Sequence, residues 1–183
     1  MSKRVAVLFP GIGYHCDKPL LYYAGKLAMS ADYQVILVPY KGFPAGVKGN
    51  KEKMEQSFYM GLEQAEDMLE KVEWADFDEI LFISKSVGTI VAGAYAKKHH
   101  LKVKHVAFTP LVQTFAFSEG DTIMFHGTAD PWADTEDIKA GCGKLGIPLY
   151  ITENANHSLE TGNVDLDLRN LASVMNTVEY FIR

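Results

Sequence analysis

Apolar residues follow two alternating rhythms along the chain. Short runs at 5–9, 34–39, 79–83, 103–108, 122–125 and 148–152 are nearly continuous rather than alternating. Continuous runs of that length suit parallel strands with both faces covered. Between them the spacing turns helical. Residues 52–72 place Met54, Phe58, Leu62, Ala65, Leu69 and Val72 on one stripe. Residues 167–182 do the same with Leu168, Leu171, Met175, Val178 and Ile182. The stretch from the hinge at 84–88 to about Lys98 predicts a third helix that buries Ile90, Val91, Ala94 and Tyr95. Residues 19–29, with Asp17 as the expected cap and Pro19 in the first turn, and residues 132–144 supply two more. The alternation predicts one α/β domain: a six-stranded, mainly parallel sheet between two helical layers, a three-layer α/β/α sandwich spanning residues 1–183.

Composition narrows the partners rather than the fold. The 183 residues are 48% hydrophobic and 22% charged, enough for one domain with a core. Formal charge is −5 with both signs interspersed, so no basic field exists to hold nucleic acid or anionic lipid. The opening MSKRVAVLFPG breaks at Pro10-Gly11 before a signal-peptide core or a membrane span is complete, and a cytoplasmic protein without a membrane partner, monomer or homodimer, is expected. Cys16 and Cys142 match neither a metal-site spacing nor a disulfide framework. The glycine-rich stretch KGFPAGVKGNK at 41–51 reads as a connection inside the domain.

Chemistry enters at 84–88. The run 80–83 stops at Ser84-Lys85-Ser86-Val87-Gly88 and a helix starts at once. A parallel strand ending there delivers the chain to the carboxyl edge of the sheet, where open α/β folds bind ligands. Turning within about two residues strains the backbone and demands small flanking residues, which Ser84 and Gly88 are. Ser86 at the apex projects its hydroxyl, while the amide of Val87 points along the positive end of the new helix. Serine is also a favoured helix cap, so the pentapeptide alone leaves both roles open.

Through these residues the chain resembles the α/β-hydrolase family, whose elbow usually reads G-x-S-x-G; here a serine takes the first glycine position. The resemblance extends over essentially the whole chain and implies a triad in the order serine, acid, histidine. HGTADPWAD at 126–134 resembles the family's acid loop and points to Asp130. ENANHSLE at 153–160 resembles its histidine loop and points to His157. Asp130 before Pro131 also reads as a cap and turn pairing. Asp134 is the rival acid, expected inside a helix. His99 and His100 end a helix, His105 enters a strand, and His126 lies on the wrong side of the acid loop.

The resemblance further implies an oxyanion hole made by the amides of Val87 and Ile12, with Gly13 the second choice, in the loop FPGIGYHCDKP at 9–19. As a dinucleotide fingerprint this loop fails: Cys16 stands where a third glycine belongs, and no acidic residue ends the second run. Neither Gly25-Lys26 nor Gly143-Lys144 is followed by serine or threonine, so no phosphate loop is present. No metal and no cofactor are implied. The interval 109–121 is too short for the helical cap of many family members, which points to the minimal, capless form of the fold. The implied partner is a small-molecule acyl substrate in a shallow cleft for short acyl groups. Its expected walls are Gly13, Tyr14, His15, Phe115, Phe117 and Trp132. The competing expectation is a non-catalytic binding or scaffold protein that keeps the fold.

Overall fold

The computed structural model describes residues 2–183. The six runs become strands β1 (Arg4–Phe9), β2 (Tyr33–Leu37), β3 (Glu79–Lys85), β4 (Lys104–Phe108), β5 (Asp121–Gly127) and β6 (Leu149–Thr152). They form one sheet in the order β2-β1-β3-β4-β5-β6, every neighbouring pair parallel. Five α-helices connect them: α1 (Pro19–Ser30), α2 (Lys51–Leu69), α3 (Val87–Lys98), α4 (Thr135–Leu145) and α5 (Val164–Ile182).

The continuity of the apolar runs has a direct structural reason. Along β1, Ala6 and Leu8 face a core shared with α1 and α5, while Val5, Val7 and Phe9 face one shared with α2 and α3. With both faces dry, consecutive positions along β1 are apolar. A third cluster, built from Ala107, Met124, Ile138 and Cys142, packs α4 under β4 and β5. Full burial of side chains such as Phe9, Phe82 and Leu81 stabilises the fold by roughly 1.5–3 kcal/mol each.

Several boundaries move from their predicted places. Strand β3 continues two residues past its apolar run, because Ser84 and Lys85 pair with Ala107 and Phe108 of β4. Helix α4 starts at Thr135 rather than 132; Asp134 is its cap, with Oδ1 accepting from Glu136 N at 2.8 Å, and does not lie inside the helix. Helix α5 starts at Val164, capped by the Asn163 side chain. Asp17 does not cap α1. The cap position is Lys18 without a side-chain bond, and Pro19 behind it has no N–H to satisfy.

The stretch 41–51 is held down rather than loose. Gln64 on α2 accepts from Lys41 N at 2.8 Å and donates to Lys41 O at 2.9 Å. Lys53 Nζ donates to Ala45 O at 2.7 Å, and Asn50 caps α2 through Lys53 N. Among the described residues, no helix is long and apolar enough to cross a membrane.

Candidate active site

The loops after β1, β3, β5 and β6 all emerge at the carboxyl edge of the sheet and carry Ile12, Ser86, Asp130 and His157 respectively. The turn from β3 to α3 is made by one residue. Ser86 has φ 55° and ψ −124°, a region that non-glycine residues rarely occupy. The strain is held from both sides: Ser86 N donates to Phe108 O at 3.0 Å, and Thr89 N donates to Ser86 O at 2.9 Å. Gly88 is the close-approach position. A Cβ there would lie far inside van der Waals distance of the Phe9 and Pro10 carbonyl oxygens.

Ser86 does not cap α3, for its side chain makes no bond to the helix. Its Oγ lies 2.7 Å from His157 Nε2. The opposite ring nitrogen, Nδ1, lies 2.7 Å from Asp130 Oδ2. Asp130 serves both of its sequence readings at once: Oδ1 accepts from Trp132 N at 2.9 Å to close the turn, and Oδ2 remains for the histidine. Ser86 is 7% exposed and Asp130 9%, so the chain of bonds is sheltered. Asp134 faces away at the start of α4.

The acid and histidine loops are laced together. Thr128 N donates to Thr152 O at 3.1 Å, Ala129 N to Ala155 O at 2.9 Å, and Asn154 N to Thr128 Oγ1 at 2.7 Å. Gly127 permits this, because a Cβ there would strike the carbonyl oxygen of Ala155. The Asn156 side chain accepts from Ser158 N at 2.7 Å and folds the chain around His157.

The loop after β1 passes directly over the elbow, and a Cβ on Gly11 would come within 3.0 Å of Ser86 Cβ. Gly11 and Tyr14 close a tight turn by reciprocal bonds, with Gly13 supplying its positive φ of 69°. The bonds of that turn use the amides of Gly11 and Tyr14, not those of Ile12 and Gly13. Val87 opens α3, where an amide has no helical carbonyl behind it.

The expected walls divide. Tyr14 turns inward: its hydroxyl accepts from Leu20 N at 3.1 Å and its ring joins the core, so it shapes the loop and does not line a cleft. Phe115 likewise packs into the third cluster, against Gly141 of α4. His15 is exposed with Nδ1 3.6 Å from Asp17. Trp132 stacks on the His157 ring at 5.3 Å and 26°, and Phe117 stacks on Phe58 at 5.9 Å. Both also line a groove of about 710 Å³ beside the triad. A cavity of about 790 Å³ lies at the other end of the sheet, around Glu79, Lys104 and Asp121. It is remote from the triad and sits at the amino edge, where this class of sheet does not place ligands.

Two residues at the elbow escape sequence reasoning. Ser84, in the first glycine position, sets its Oγ 2.6 Å from His105 Nε2, and burial pushes His105 down to about 4, so a neutral imidazole receives it. Lys85, 2% exposed, runs under the loop after β1 and holds Nζ 5.0 Å from the Tyr14 ring. Burial pushes its ammonium down to about 7, against the pull of Asp130. His157 is lowered too, first by burial and also by the Lys85 charge, while its bond to Asp130 acts in the other direction. His126 flanks the acid at 3.9 Å, too far for a hydrogen bond, with Nε2 3.0 Å from Thr135 Oγ1. Among the described residues, no cluster of three or more His, Cys, Asp or Glu side chains is placed to hold a metal ion.

A lowered His157 fixes the sign of a pH prediction. Chemistry that uses the neutral imidazole as base appears as pH rises through the histidine's pKa. The acid limb of kcat/KM is therefore centred below 6.5, the ordinary imidazole value. Lys85 is cationic across that limb, so Lys85→Met moves the midpoint to higher pH. A midpoint unchanged or lowered in the variant contradicts the assignment.

No protein-family profile and no curated protein matches this sequence. Solved structures do match it. An α/β serine hydrolase of Xanthomonas campestris, described as lacking a lid, superposes with a TM-score of 0.66 at 13% identity, covering 100% of this chain and 82% of that one. The chain has the α/β-hydrolase fold. A serine hydrolase homologue of Coxiella burnetii shares the hydrolase fold with a TM-score of 0.65 at 16% identity, over 94% of this chain and 85% of its own. Est1E of Butyrivibrio proteoclasticus, solved with ferulic acid bound, gives 0.68 at 11% identity over 98% and 88%. In this chain no cap domain interrupts the interval between β4 and β5, which holds only a short 3-10 turn at Val112–Ala116.

Proposed function

We propose that the protein is a serine hydrolase that cleaves a small carboxylic ester or related acyl compound through an acyl-enzyme. The observation that carries this reading is the unbroken bond sequence from Ser86 Oγ through both nitrogens of His157 to Asp130, 2.7 Å at each link.

The chemistry follows from those contacts. Ser86 Oγ attacks the scissile carbonyl while His157 Nε2 takes its proton. Asp130 Oδ2 accepts from Nδ1–H, fixing the tautomer and stabilising the imidazolium as it forms. The amides of Val87 and Ile12 donate to the oxyanion, at the positive end of α3 and in the loop over the elbow. The imidazolium returns its proton to the departing alcohol or thiol. Water, deprotonated by the same nitrogen, then attacks the acyl-serine, releasing the acid and regenerating the hydroxyl. Est1E, with ferulic acid in its structure, supports a carboxylic acid as the product class. No step needs a cofactor.

The test is turnover of p-nitrophenyl acetate. The wild-type protein hydrolyses it, and Asp130→Asn lowers kcat by about 10³–10⁴-fold by favouring the wrong tautomer. Asp134→Ala, which touches only the cap of α4, stays near wild type. Severe loss in Asp134→Ala with mild loss in Asp130→Asn would overturn the assignment, and a folded protein inert to every ester would leave the binding-protein reading.

A further inference from the structure

The groove beside the triad is built from parts that the sequence treats as a connection. One wall is the loop 41–51 with the first turns of α2, contributing Val47 and Met54; the opposite wall is Leu111, Phe117 and Trp132, with Ile90 of α3 between them. Trp132 joins the groove to the triad, since it lines the groove and stacks on the His157 ring. Its lining is mostly apolar and aromatic, and its volume of about 710 Å³ falls within the roughly 300–1,000 Å³ range of sites that enclose a whole small molecule. The loop wall is set in advance by the bonds of Gln64 to Lys41 and of Lys53 to Ala45.

We infer that this groove binds an extended apolar or aromatic substituent of the scissile ester, making the protein selective for bulky apolar substrates over acetate-sized ones. The inference rests on the serine-hydrolase reading above. It replaces the shallow short-acyl cleft expected from the sequence, for a physical reason: Tyr14 and Phe115 leave the cleft for the core, while α2 and its preceding loop enter it. Phe58, Phe117 and Trp132 all line the groove and offer aromatic surface to a planar ring, whose face and edge contacts with aromatic groups reward it beyond its area. A linear chain gains as each methylene leaves water.

The experiment compares two ester series, p-nitrophenyl esters from acetate to octanoate and acetates of alcohols from ethanol to octanol, so that acyl and alcohol occupancy are read separately. In one series kcat/KM climbs by about fourfold per covered methylene, reaching on the order of 100-fold over acetate. Met54→Trp fills the groove and flattens that climb. Gln64→Ala releases the loop wall without entering the groove and weakens the climb while the protein remains folded by thermal melt. Acetate turnover with both series flat in the wild type, or a climb that neither variant alters, overturns the groove and leaves the hydrolase standing. No turnover in either series, together with no labelling of Ser86 by a fluorophosphonate, removes the hydrolase reading itself.

Discussion

Under the proposed mechanism, Ser86→Ala lowers kcat on p-nitrophenyl acetate by ~10⁶-fold, the scale seen when the nucleophile of a Ser-His-Asp triad is removed. It leaves the fold in place. The hydroxyl makes no cap bond and its partner is His157, so removing it costs only the bond that the proposed reaction uses. The strained backbone at φ 55° is fixed by main-chain bonds to Phe108 and Thr89, which alanine keeps. Thermal melts and circular dichroism of the variant stay within about 1 kcal/mol of the wild type, the net worth of one lost hydrogen bond. A variant that loses both activity and stability would return Ser86 to a structural role.

Gly88→Val has the opposite signature. Its side chain would have to occupy the space held by the Phe9 and Pro10 carbonyl oxygens, backbone atoms where the interior strand β1 ends and its loop begins, which cannot rotate away. Relief requires α3 to move off the sheet or the loop after β1 to lift. Overpacking of this kind costs about 3 kcal/mol or more, a large share of the roughly 5–15 kcal/mol that holds a domain together. For a chain of this length that lowers the melting temperature by about 6–12 °C. Turnover falls with it, since the loop carrying Ile12 leaves Ser86. The pair separates strain from chemistry: Ser86→Ala is stable and dead, Gly88→Val unstable and dead. Wild-type melting in Gly88→Val would mean that strand and helix do not meet at the elbow.

What the sequence could and could not reveal follows from the range of the interactions involved. Six strands and five helices were legible, because burial on two faces writes itself as unbroken apolar runs and burial on one face as helical period. The juxtaposition of Ser86, Asp130 and His157 was legible through the elbow and, for the acid and the histidine, through the resemblance of their loops to those of the α/β-hydrolase family. The extension of β3 through Ser84 and Lys85 was not, because two polar residues become strand only when His105 and the Tyr14 ring, remote in sequence, receive their side chains. Boundaries at α4 and α5 slipped toward apolar residues, while the caps, Asp134 and Asn163, lay in view but competed with other turn residues nearby. Tyr14 was misplaced for a related reason. A loop aromatic can face the ligand or the core, and the bond from Leu20 N that draws this one inward is made by tertiary placement of α1. The groove was least legible of all, since its wall depends on Gln64 clamping a glycine-rich stretch that by composition reads as a linker.

The central claim is that Ser86 is a nucleophile activated by His157. Intact-mass analysis after exposure to a fluorophosphonate tests it most directly, because the reagent needs both an activated serine and its base and requires no knowledge of the substrate. The account predicts one adduct per chain, mapped by peptide analysis to Ser86, absent in Ser86→Ala and strongly reduced in His157→Ala. A folded wild-type protein that takes up no label, or one labelled equally well without His157, would contradict it.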